Sequence, residues 1–230
     1  MMRAIMSGWG ELDRLIGGLE TGGIYILAGD SGSGKSTLAA LFALTGATIG
    51  EPAVYITSTD QPSKITTWME SLGWNASRLI ENDQLSIMRI NLIVMGENAY
   101  KGVDNIYREL DRELDKIKGT RLVVDSLTSM FPQGTRYSRE DMIKLFLGRI
   151  KERENLTTIA TCDEELGHRL SEYADGLFIL KLFTRRDLYI RTLTIRKIRW
   201  RDLSPITIEF DIRRGEDGYI RIELKESRTP

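Results

Sequence analysis

Three features of the sequence predict an α/β fold, with a mostly parallel sheet flanked by helices and an antiparallel β extension at the C-terminal end. A glycine-rich octet, residues 29–36, lies between an apolar run that favours a strand and an Ala- and Leu-rich run that favours a helix. Strand-like and helix-like runs alternate before residue 176, which is the pattern of a parallel sheet covered on both faces. After it, strand formers dominate. We therefore expect residues 1–230 to form one domain, in which residues 176–230 extend the same sheet.

Each kind of element has its own pattern. Continuous apolar runs predict buried parallel strands at residues 24–28, 53–58, 121–125 and 157–161. Helical runs, one of them with apolar residues at every third or fourth position, occupy residues 36–49, 63–72, 103–118 and 139–153. Strand formers separated by turn residues predict antiparallel strands at residues 177–182, 188–198, 206–212 and 219–224.

The composition narrows the classes of protein that fit. The net charge is −1, so the overall charge draws the chain neither to nucleic acid nor to a membrane surface. No apolar run approaches the roughly 20 residues that a membrane-spanning helix needs, and the start of the chain is broken too soon by Gly8 to be a signal peptide. A single Cys and a single His argue against a Cys/His zinc site. We therefore expect a cytoplasmic protein without membrane insertion.

The octet fits the phosphate-binding pattern G-x-x-x-x-G-K-[ST]. Glycines let backbone N–H groups turn inward around a polyphosphate, and the helix that follows adds its positive N-terminal end. Lys35 supplies charge to the β- and γ-phosphates, which makes it a catalytic as well as a binding residue, and Ser36 offers a hydroxyl to Mg²⁺. An ordinary glycine turn before a helix is the alternative. The predicted nucleotide-binding residues are Asp30, Ser31, Gly32, Ser33, Gly34, Lys35, Ser36 and Thr37.

A second apolar run ends in an acidic residue. Residues 121–125 read Arg-Leu-Val-Val-Asp and are followed by Ser126, the form in which a carboxylate at the end of a strand helps to hold Mg²⁺. Apolar runs that end in aspartate are common, and Asp125 capping a turn is the alternative. Together with the glycine loop, the pattern predicts Asp125 as a magnesium ligand beside Ser36.

Several segments together resemble the KaiC-like ATPases of the RecA superfamily, a group related to GvpD and RadA. Residues 10–19, GELDRLIGGL, resemble the family's lead-in to the phosphate loop. Residues 123–128, VVDSLT, resemble its Walker B segment, and residues 173–177, YADGL, a later strand entry. Residues 195–199, IRKIR, resemble its late K-x-R strand. The likeness covers nearly the whole chain.

The chain is also similar to the FlaH group of the archaeal motility machine, which shares the Gly-Asp opening of the loop and a segment like residues 68–73. The resemblance implies a RecA-type core that binds ATP with Mg²⁺, and a ring-like homo-oligomer, often a hexamer, with nucleotide between subunits. It also implies that Lys197 and Arg199, which match the K-x-R positions, contact the phosphates of a neighbouring subunit. Alternation along a strand points both side chains to one face. A pair of solvated charges is the alternative.

The segment after the second core strand departs from the family pattern. The family places glutamates there, just before a Ser/Thr-Pro turn, where a carboxylate orients or deprotonates the attacking water. Counting back from Pro62, those positions hold Thr59 and Asp60. Thr59 lacks a carboxylate, and the side chain of Asp60 is shorter than that of glutamate, so Asp60 is the candidate water-positioning residue of a slow ATPase. Asp60 as the N-cap of the helix at residues 63–72 is the alternative.

Positive charge is concentrated late in the chain. Residues 181–214 hold ten Lys and Arg residues and four acidic residues, so this segment carries +6 and the remainder −7. Three interpretations are open: a subunit interface that meets ATP phosphates, a solvated strand surface, or a nucleic-acid surface on which Trp200 stacks with a base. No nucleic-acid-binding motif supports the last.

Three functions fit these patterns. The first is a KaiC-like Mg²⁺-ATP-binding protein that turns over slowly at subunit interfaces. The second is an ATP-sensing adaptor similar to FlaH, whose state a protein partner reads without any need for hydrolysis. The third is a recombinase-type DNA-dependent ATPase, against which the near-neutral charge and the absence of a DNA-binding motif count.

Overall fold

A computed structural model describes residues 4–90, 99–131, 138–199 and 204–225. The strands are β1 (Ala4–Ile5), β2 (Leu19–Glu20), β3 (Ile24–Gly29), β4 (Ala53–Thr57), β5 (Leu85–Arg89), β6 (Arg121–Asp125), β7 (Thr157–Cys162), β8 (Gly176–Arg185), β9 (Leu188–Ile198), β10 (Ile206–Arg214) and β11 (Ile220–Leu224). The helices are α1 (Glu11–Ile16), α2 (Lys35–Thr48), α3 (Pro62–Ser71), α4 (Ala76–Glu81), α5 (Ala99–Ile117), α6 (Leu127–Met130), α7 (Arg139–Lys151) and α8 (Glu164–Arg169).

Nine strands form one sheet in the order β11-β10-β9-β8-β3-β7-β6-β4-β5. The strands from β8 to β5 in that order are parallel, and β9, β10 and β11 continue the sheet in antiparallel pairs. β1 and β2 form a separate antiparallel pair. The predicted α/β architecture, mostly parallel with an antiparallel extension, is confirmed. The extension is hydrogen-bonded to the main sheet through β8 and β3, and the assignment of residues 1–230 to one domain stays a prediction.

Two apolar cores lie on the two faces of this sheet. Alternate residues of a strand point to opposite faces, so Tyr25 and Leu27 of β3 belong to one core and Ile24, Ile26 and Ala28 to the other. Helices α1 to α4 contribute to the first core, and α5 to α8 to the second. Burial on both faces explains why β3 and β4 are mostly apolar along their length.

The predicted helices and strands are all present, with ends that differ from the predictions by no more than four residues. The prediction lacks the β1-β2 pair, β5 and four helices: α1, α4, α6 and α8. Each of these helices has six residues or fewer, which is too short for an apolar period to be visible in the sequence. β5 is an edge strand whose side chains are mostly half-buried, so it has no continuous apolar run.

The segment before β3 is organised by a buried carboxylate. Asp13 of α1 accepts hydrogen bonds from the backbone N–H groups of Ser7, Gly8 and Trp9, at 2.9, 3.0 and 3.2 Å. The Trp9 indole is fully buried, and its Nε1 donates to the Leu38 carbonyl in α2 at 2.9 Å. The lead-in therefore fixes residues 7–13 against the helix that follows the glycine loop.

α2 is buried on most sides within the first core. Its residues 38–44 are all buried, so apolar side chains face outward in every direction from the helix axis. The side chain of Arg121 lies against it, wholly buried, and donates to the Phe42 carbonyl at 2.7 Å and to the Glu51 carboxylate at 2.6 Å. Neither α2 nor any other helix among the described residues is long and apolar enough to cross a membrane.

Candidate nucleotide site

The glycine loop connects β3 to α2 and adopts a backbone conformation that needs glycine. Gly29, Gly32 and Gly34 have φ angles of 141°, 77° and 105°, a region that other residues rarely enter. A Cβ on Gly29 would lie 1.8 Å from the Leu180 carbonyl oxygen, and one on Gly34 would lie 2.8 Å from Ile212 Cδ1. The loop therefore packs closely against β8 and β10, and at Gly29 the contact with the backbone of β8 excludes larger residues independently of the turn.

Hydrogen bonds within the loop hold its shape. The hydroxyl and the backbone N–H of Ser33 both donate to the Asp30 carbonyl, at 2.8 and 3.3 Å. The Asp30 N–H donates in turn to the Leu180 carbonyl of β8 at 3.3 Å. Ser33 is fully buried, whereas Asp30 and Ser31 are exposed. Ser33 thus shapes the loop from inside, and the side chains of Asp30 and Ser31 remain accessible to a ligand.

Lys35 is the first residue of α2, and its ammonium group turns back toward the loop. Its Nζ donates to the Gly29 and Asp30 carbonyls, at 2.8 and 2.6 Å. Burial lowers the pKa of Lys35, and the negative charge of Asp125 opposes that shift. Because an ammonium group has three N–H donors, one remains for a phosphate oxygen.

A cavity of about 570 Å³ lies over the carboxyl ends of β3, β4, β6 and β7, where open α/β sheets bind ligands. Its volume is within the range of small-molecule pockets. Its walls are formed by Gly29, Ser31, Lys35, Ser36, Thr57, Thr59, Asp60, Lys64, Ile65, Trp68, Asp125, Ser126, Thr128, Ser129, Thr161, Cys162 and Asp163. The predicted site residues in these walls are Ser31, Lys35, Ser36, Asp60 and Asp125. The predicted site residues outside them are Asp30, Gly32, Ser33, Gly34, Thr37, Lys197 and Arg199.

Asp125 is the last residue of β6, and both of its carboxylate oxygens accept hydrogen bonds. Oδ2 accepts a hydrogen bond from the Tyr55 hydroxyl at 2.6 Å, and Oδ1 accepts one from the Thr161 hydroxyl at 2.5 Å. Burial and the adjacent carboxylate raise the pKa of Tyr55. Ser36 and Asp125 bring a hydroxyl and a carboxylate oxygen to one cavity, and hard oxygen donors of this kind suit Mg²⁺. Sequence reasoning missed Tyr55 and Thr161, because β4 and β7 each hold other hydroxyl residues and the sequence does not show which of them face Asp125.

Asp60 lies just after the end of β4. Strands β7 and β6 lie between β3 and β4 in the sheet, so Asp60 is across the cavity from the glycine loop. Its Oδ2 accepts from the Thr59 hydroxyl at 2.9 Å, and its Oδ1 pairs with the Lys64 ammonium. These contacts, the one with Lys64 foremost, lower the pKa of Asp60. The alternative role of Asp60 as a helix N-cap is wrong, because α3 begins at Pro62 and its N-cap is Gln61. Proline favours the first helical position, which sets that boundary.

Hydroxyl groups line the cavity between the loop and Asp60. Ser129 Oγ lies 2.9 Å from Ser58 Oγ and 2.7 Å from Ser126 Oγ. The Thr128 hydroxyl donates to Asp163 Oδ2 at 2.9 Å, and the other oxygen of Asp163 caps α8. Sequence reasoning missed these residues, although polar residues directly after β6 and β7 were visible in the sequence. The Asp163 carboxylate is therefore engaged structurally.

Lys197 and Arg199 lie at the other end of the sheet. Lys197 Nζ donates to the Ser171 and Ala174 carbonyls, at 2.6 and 2.9 Å, and Arg199 donates to the Glu172 carbonyl at 2.7 Å. This part of β9 pairs with the first residues of β8, whereas the loop follows the last residues of β3. Both side chains contact one segment, as placement on a common face predicts, and neither reaches the loop of its own chain. Their contact with a neighbour's phosphates stays a prediction.

Cations of the basic segment, residues 181–214, have partners within the chain. Arg185 pairs with Glu209 at 3.3 Å, and Arg191 donates to a carbonyl of the glycine loop at 3.4 Å. The ion pair offsets one positive charge, and the hydrogen bond holds the Arg191 side chain against the glycine loop. Trp200, predicted as a possible stacking residue, lies outside the described residues.

Comparison with known proteins extends the likeness seen in the motifs. The family described as the KaiC ATPase matches residues 5–226. The circadian clock oscillator protein KaiC of Synechococcus elongatus is 28% identical in an alignment of 210 positions that covers 86% of this chain and 40% of that protein. KaiC of Thermostichus vulcanus is 29% identical in an alignment of 234 positions that covers 93% of this chain and 44% of that protein. The chain therefore spans less than half the length of these relatives.

The likeness extends to a solved structure. A KaiC-like protein from the hyperthermophilic archaeon Pyrococcus horikoshii is 26% identical, with a TM-score of 0.81, over 97% of this chain and 100% of that one. The match therefore covers both the parallel part of the sheet and its antiparallel extension. On the strength of a family match over nearly its whole length, the chain belongs to the KaiC family of ATPases.

Proposed function

We propose that this chain binds Mg²⁺-ATP in the cavity over β3, β4, β6 and β7 and hydrolyses it slowly. The observation that carries the proposal is that Lys35, Ser36 and Asp125 line one cavity at the end of the glycine loop. The backbone of residues 30–35 wraps the phosphates, and Lys35 neutralises the charge of the β- and γ-phosphates. Ser36 and Asp125 would hold Mg²⁺, which would neutralise negative charge on the phosphates.

Slow turnover follows from the groups that face the terminal phosphate. Rapid hydrolysis needs a carboxylate that is free to orient the attacking water. Thr59 has no carboxylate, and Asp60 is paired with Lys64. The Asp163 carboxylate is engaged by Thr128 and by the start of α8. Asp60 can orient water only while Lys64 is away from it, and its side chain is shorter than that of glutamate, so both features support a low rate.

We further propose that nucleotide lies between subunits of a ring-like homo-oligomer, with a hexamer as the expected size. Lys197 and Arg199 support this arrangement, because both lie at the end of the sheet away from the loop of their own chain. A second copy is needed to bring such cations to the phosphates. The ring then couples nucleotide binding to assembly.

The second candidate function is that of an ATP-sensing adaptor, whose nucleotide state a protein partner recognises. The Asp60–Lys64 ion pair favours it, because a carboxylate paired with a cation supports binding without hydrolysis. A DNA-dependent ATPase has less support, because cations such as Arg185 and Arg191 are engaged within the chain.

Phosphate release from Mg²⁺-ATP, measured together with ATP binding on the same samples, tests these proposals. We expect the wild type to bind ATP and release phosphate slowly, Asp60→Ala to bind without turnover, and Lys35→Ala to lose binding. Binding without turnover in the wild type as well would select the adaptor. Absence of wild-type binding, or full binding by Lys35→Ala, would contradict both functions.

A further inference from the structure

The wall of the cavity across from the glycine loop carries a cation of its own. Lys64 and Trp68 are four residues apart in α3, Asp60 precedes that helix by two residues, and all three line the cavity. Side chains four residues apart share one face of a helix, so Lys64 and Trp68 face the cavity together. Lys64 lies between the other two with its side chain 76% exposed. Among the residues that form the cavity walls, Lys35 and Lys64 are the two cations.

Lys64 forms an ion pair with Asp60 that is readily broken. Its Nζ lies 2.5 Å from Asp60 Oδ1, in an (i, i+4) pair between two side chains that are 76% and 34% exposed. Exposed pairs of this geometry contribute little to stability, because water and salt screen both charges. Asp60 also keeps its hydrogen bond from the Thr59 hydroxyl when Lys64 moves away. A stronger anion in the same cavity therefore competes for Lys64 at little cost.

A nucleoside triphosphate supplies such an anion, and a diphosphate does not. The β-phosphate of a nucleotide bound at a loop of this kind lies against the loop itself. The walls of the cavity include Lys35 on one side and Lys64 and Trp68 of α3 on the other, so a third phosphate beyond the loop would enter the space between them. The hydroxyls of Ser126 and Ser129 lie in the walls of the same cavity and add neutral donors. A terminal phosphate carries more negative charge than the single carboxylate of Asp60, so Lys64 gains from exchanging partners.

We propose that Lys64 binds the terminal phosphate of the bound nucleotide and so distinguishes a triphosphate from a diphosphate. With a diphosphate it pairs with Asp60, and with a triphosphate it moves to the γ-phosphate. The inference rests on the proposed function, because it requires nucleotide in this cavity. It allows the site to distinguish ATP from ADP without cleavage. It also releases the Asp60 carboxylate only in the ATP state, which is the state in which a water-orienting group is needed.

The test is the ratio of the affinities for a non-hydrolysable ATP analogue and for ADP, each with Mg²⁺, measured by calorimetry. We expect Lys64→Gln to weaken binding of the analogue about tenfold, the scale of one charge-assisted hydrogen bond. ADP binding should change less than about twofold, and Lys64→Arg should keep the wild-type ratio. Lys116→Gln is the matched control, because Lys116 forms an exposed pair with Glu113 in α5, outside the cavity walls.

Asp60→Asn gives a result of opposite sign. Removing the competing charge frees Lys64 for the phosphate, so the analogue should bind a few-fold more tightly while ADP affinity stays the same. An unchanged ratio of affinities in Lys64→Gln overturns the inference, whether both affinities fall together or neither moves. A wild type that binds neither nucleotide overturns the proposed function as well, so the wild-type measurement separates the two failures. Thermal unfolding verifies that each variant is folded.

Discussion

The Tyr55 hydroxyl donates to Asp125 Oδ2 at 2.6 Å, so a buried tyrosine of β4 orients the carboxylate that ends β6. Thr161 of β7 donates to the other oxygen, and β6 lies between β4 and β7 in the sheet. The proposed magnesium ligand is therefore held from both neighbouring strands. Groups that orient a metal ligand in this way raise metal affinity, because the ligand does not have to be ordered when the ion binds.

Tyr55→Phe should weaken the magnesium dependence of nucleotide binding while leaving the core packed. Loss of one such orienting group typically lowers metal affinity about tenfold or more, so the Mg²⁺ midpoint at fixed nucleotide should rise by that factor. Tyr25→Phe is the matched control, since Tyr25 is equally buried but its hydroxyl accepts from the Glu20 N–H and donates to the Glu20 carbonyl, outside the cavity walls. An equal magnesium midpoint in both variants would show that Tyr55 does not orient the ligand.

Arg121 explains the glycine at position 46, in the last turn of α2. A Cβ on Gly46 would lie 2.2 Å from both Cδ and Nε of Arg121. The guanidinium cannot move aside freely, because it donates to the Phe42 carbonyl and to the Glu51 carboxylate and lies 4.6 Å from the centre of the Phe42 ring. The buried side chain of Arg121 therefore requires a glycine at position 46.

Gly46→Ala should destabilise the protein by about 1–3 kcal/mol, the usual cost of overpacking a core. This outcome runs against helix propensity, which favours alanine over glycine by about 1 kcal/mol. Gly148→Ala in α7 is the control: no atom lies within 4 Å of the added Cβ, so it should stabilise by up to about 1 kcal/mol. Urea unfolding measures both. A stabilising effect of Gly46→Ala would refute this account of the packing.

The burial of Arg121 is a feature of the fold that could not be predicted from the sequence. The strand that it begins is predicted from its apolar residues, but a charged residue at a strand end is expected to be exposed. Its burial depends on Glu51, which only the folded chain brings near. Asp125 and the glycine loop are local patterns and are predicted for that reason. Tyr55 and Lys64 were missed because their roles depend on strand order and on the exact start of α3, which no local pattern reports.

The Asp163 carboxylate, directly after β7, accepts hydrogen bonds from Thr128 of α6 and from Leu166 of α8. Burial acts to raise the pKa of Asp163, but hydrogen bonds from the Leu166 N–H and the Thr128 hydroxyl lower it overall. A carboxyl group with a depressed folded-state pKa stabilises the fold above its unfolded pKa of about 3.9. That contribution is lost as the pH falls through the lower folded-state value.

Asp163→Ala should therefore cost about 1 kcal/mol of stability at pH 7, the usual value of an N-cap. The difference from wild type should shrink once the pH falls below about 4. Asp163→Asn, which caps α8 without a charge, should cost less at pH 7. Urea unfolding at several pH values measures these differences. A gap between wild type and Asp163→Ala that does not vary with pH would mean that the charge plays no part.

Nucleotide-dependent assembly tests the role proposed for Lys197 and Arg199. Within their own chain both side chains bind carbonyls of residues 171–174, a contact that stabilises the fold with or without nucleotide. In a ring they would instead meet the phosphates of a neighbour. Light scattering should therefore show that wild type assembles on addition of Mg²⁺-ATP, whereas the Lys197→Ala/Arg199→Ala double variant binds ATP and stays monomeric.

Arg196→Ala is the control for this experiment, because it removes an exposed cation from the β-bulge of the same strand and leaves Lys197 and Arg199 in place. It should assemble like wild type. Thermal unfolding must show that the double variant is folded, since it also loses its contacts to residues 171–174. If the folded double variant assembles with ATP as wild type does, the two cations serve only their own chain. Loss of assembly in the double variant alone places them at a neighbour's phosphates, because the local contacts do not depend on nucleotide.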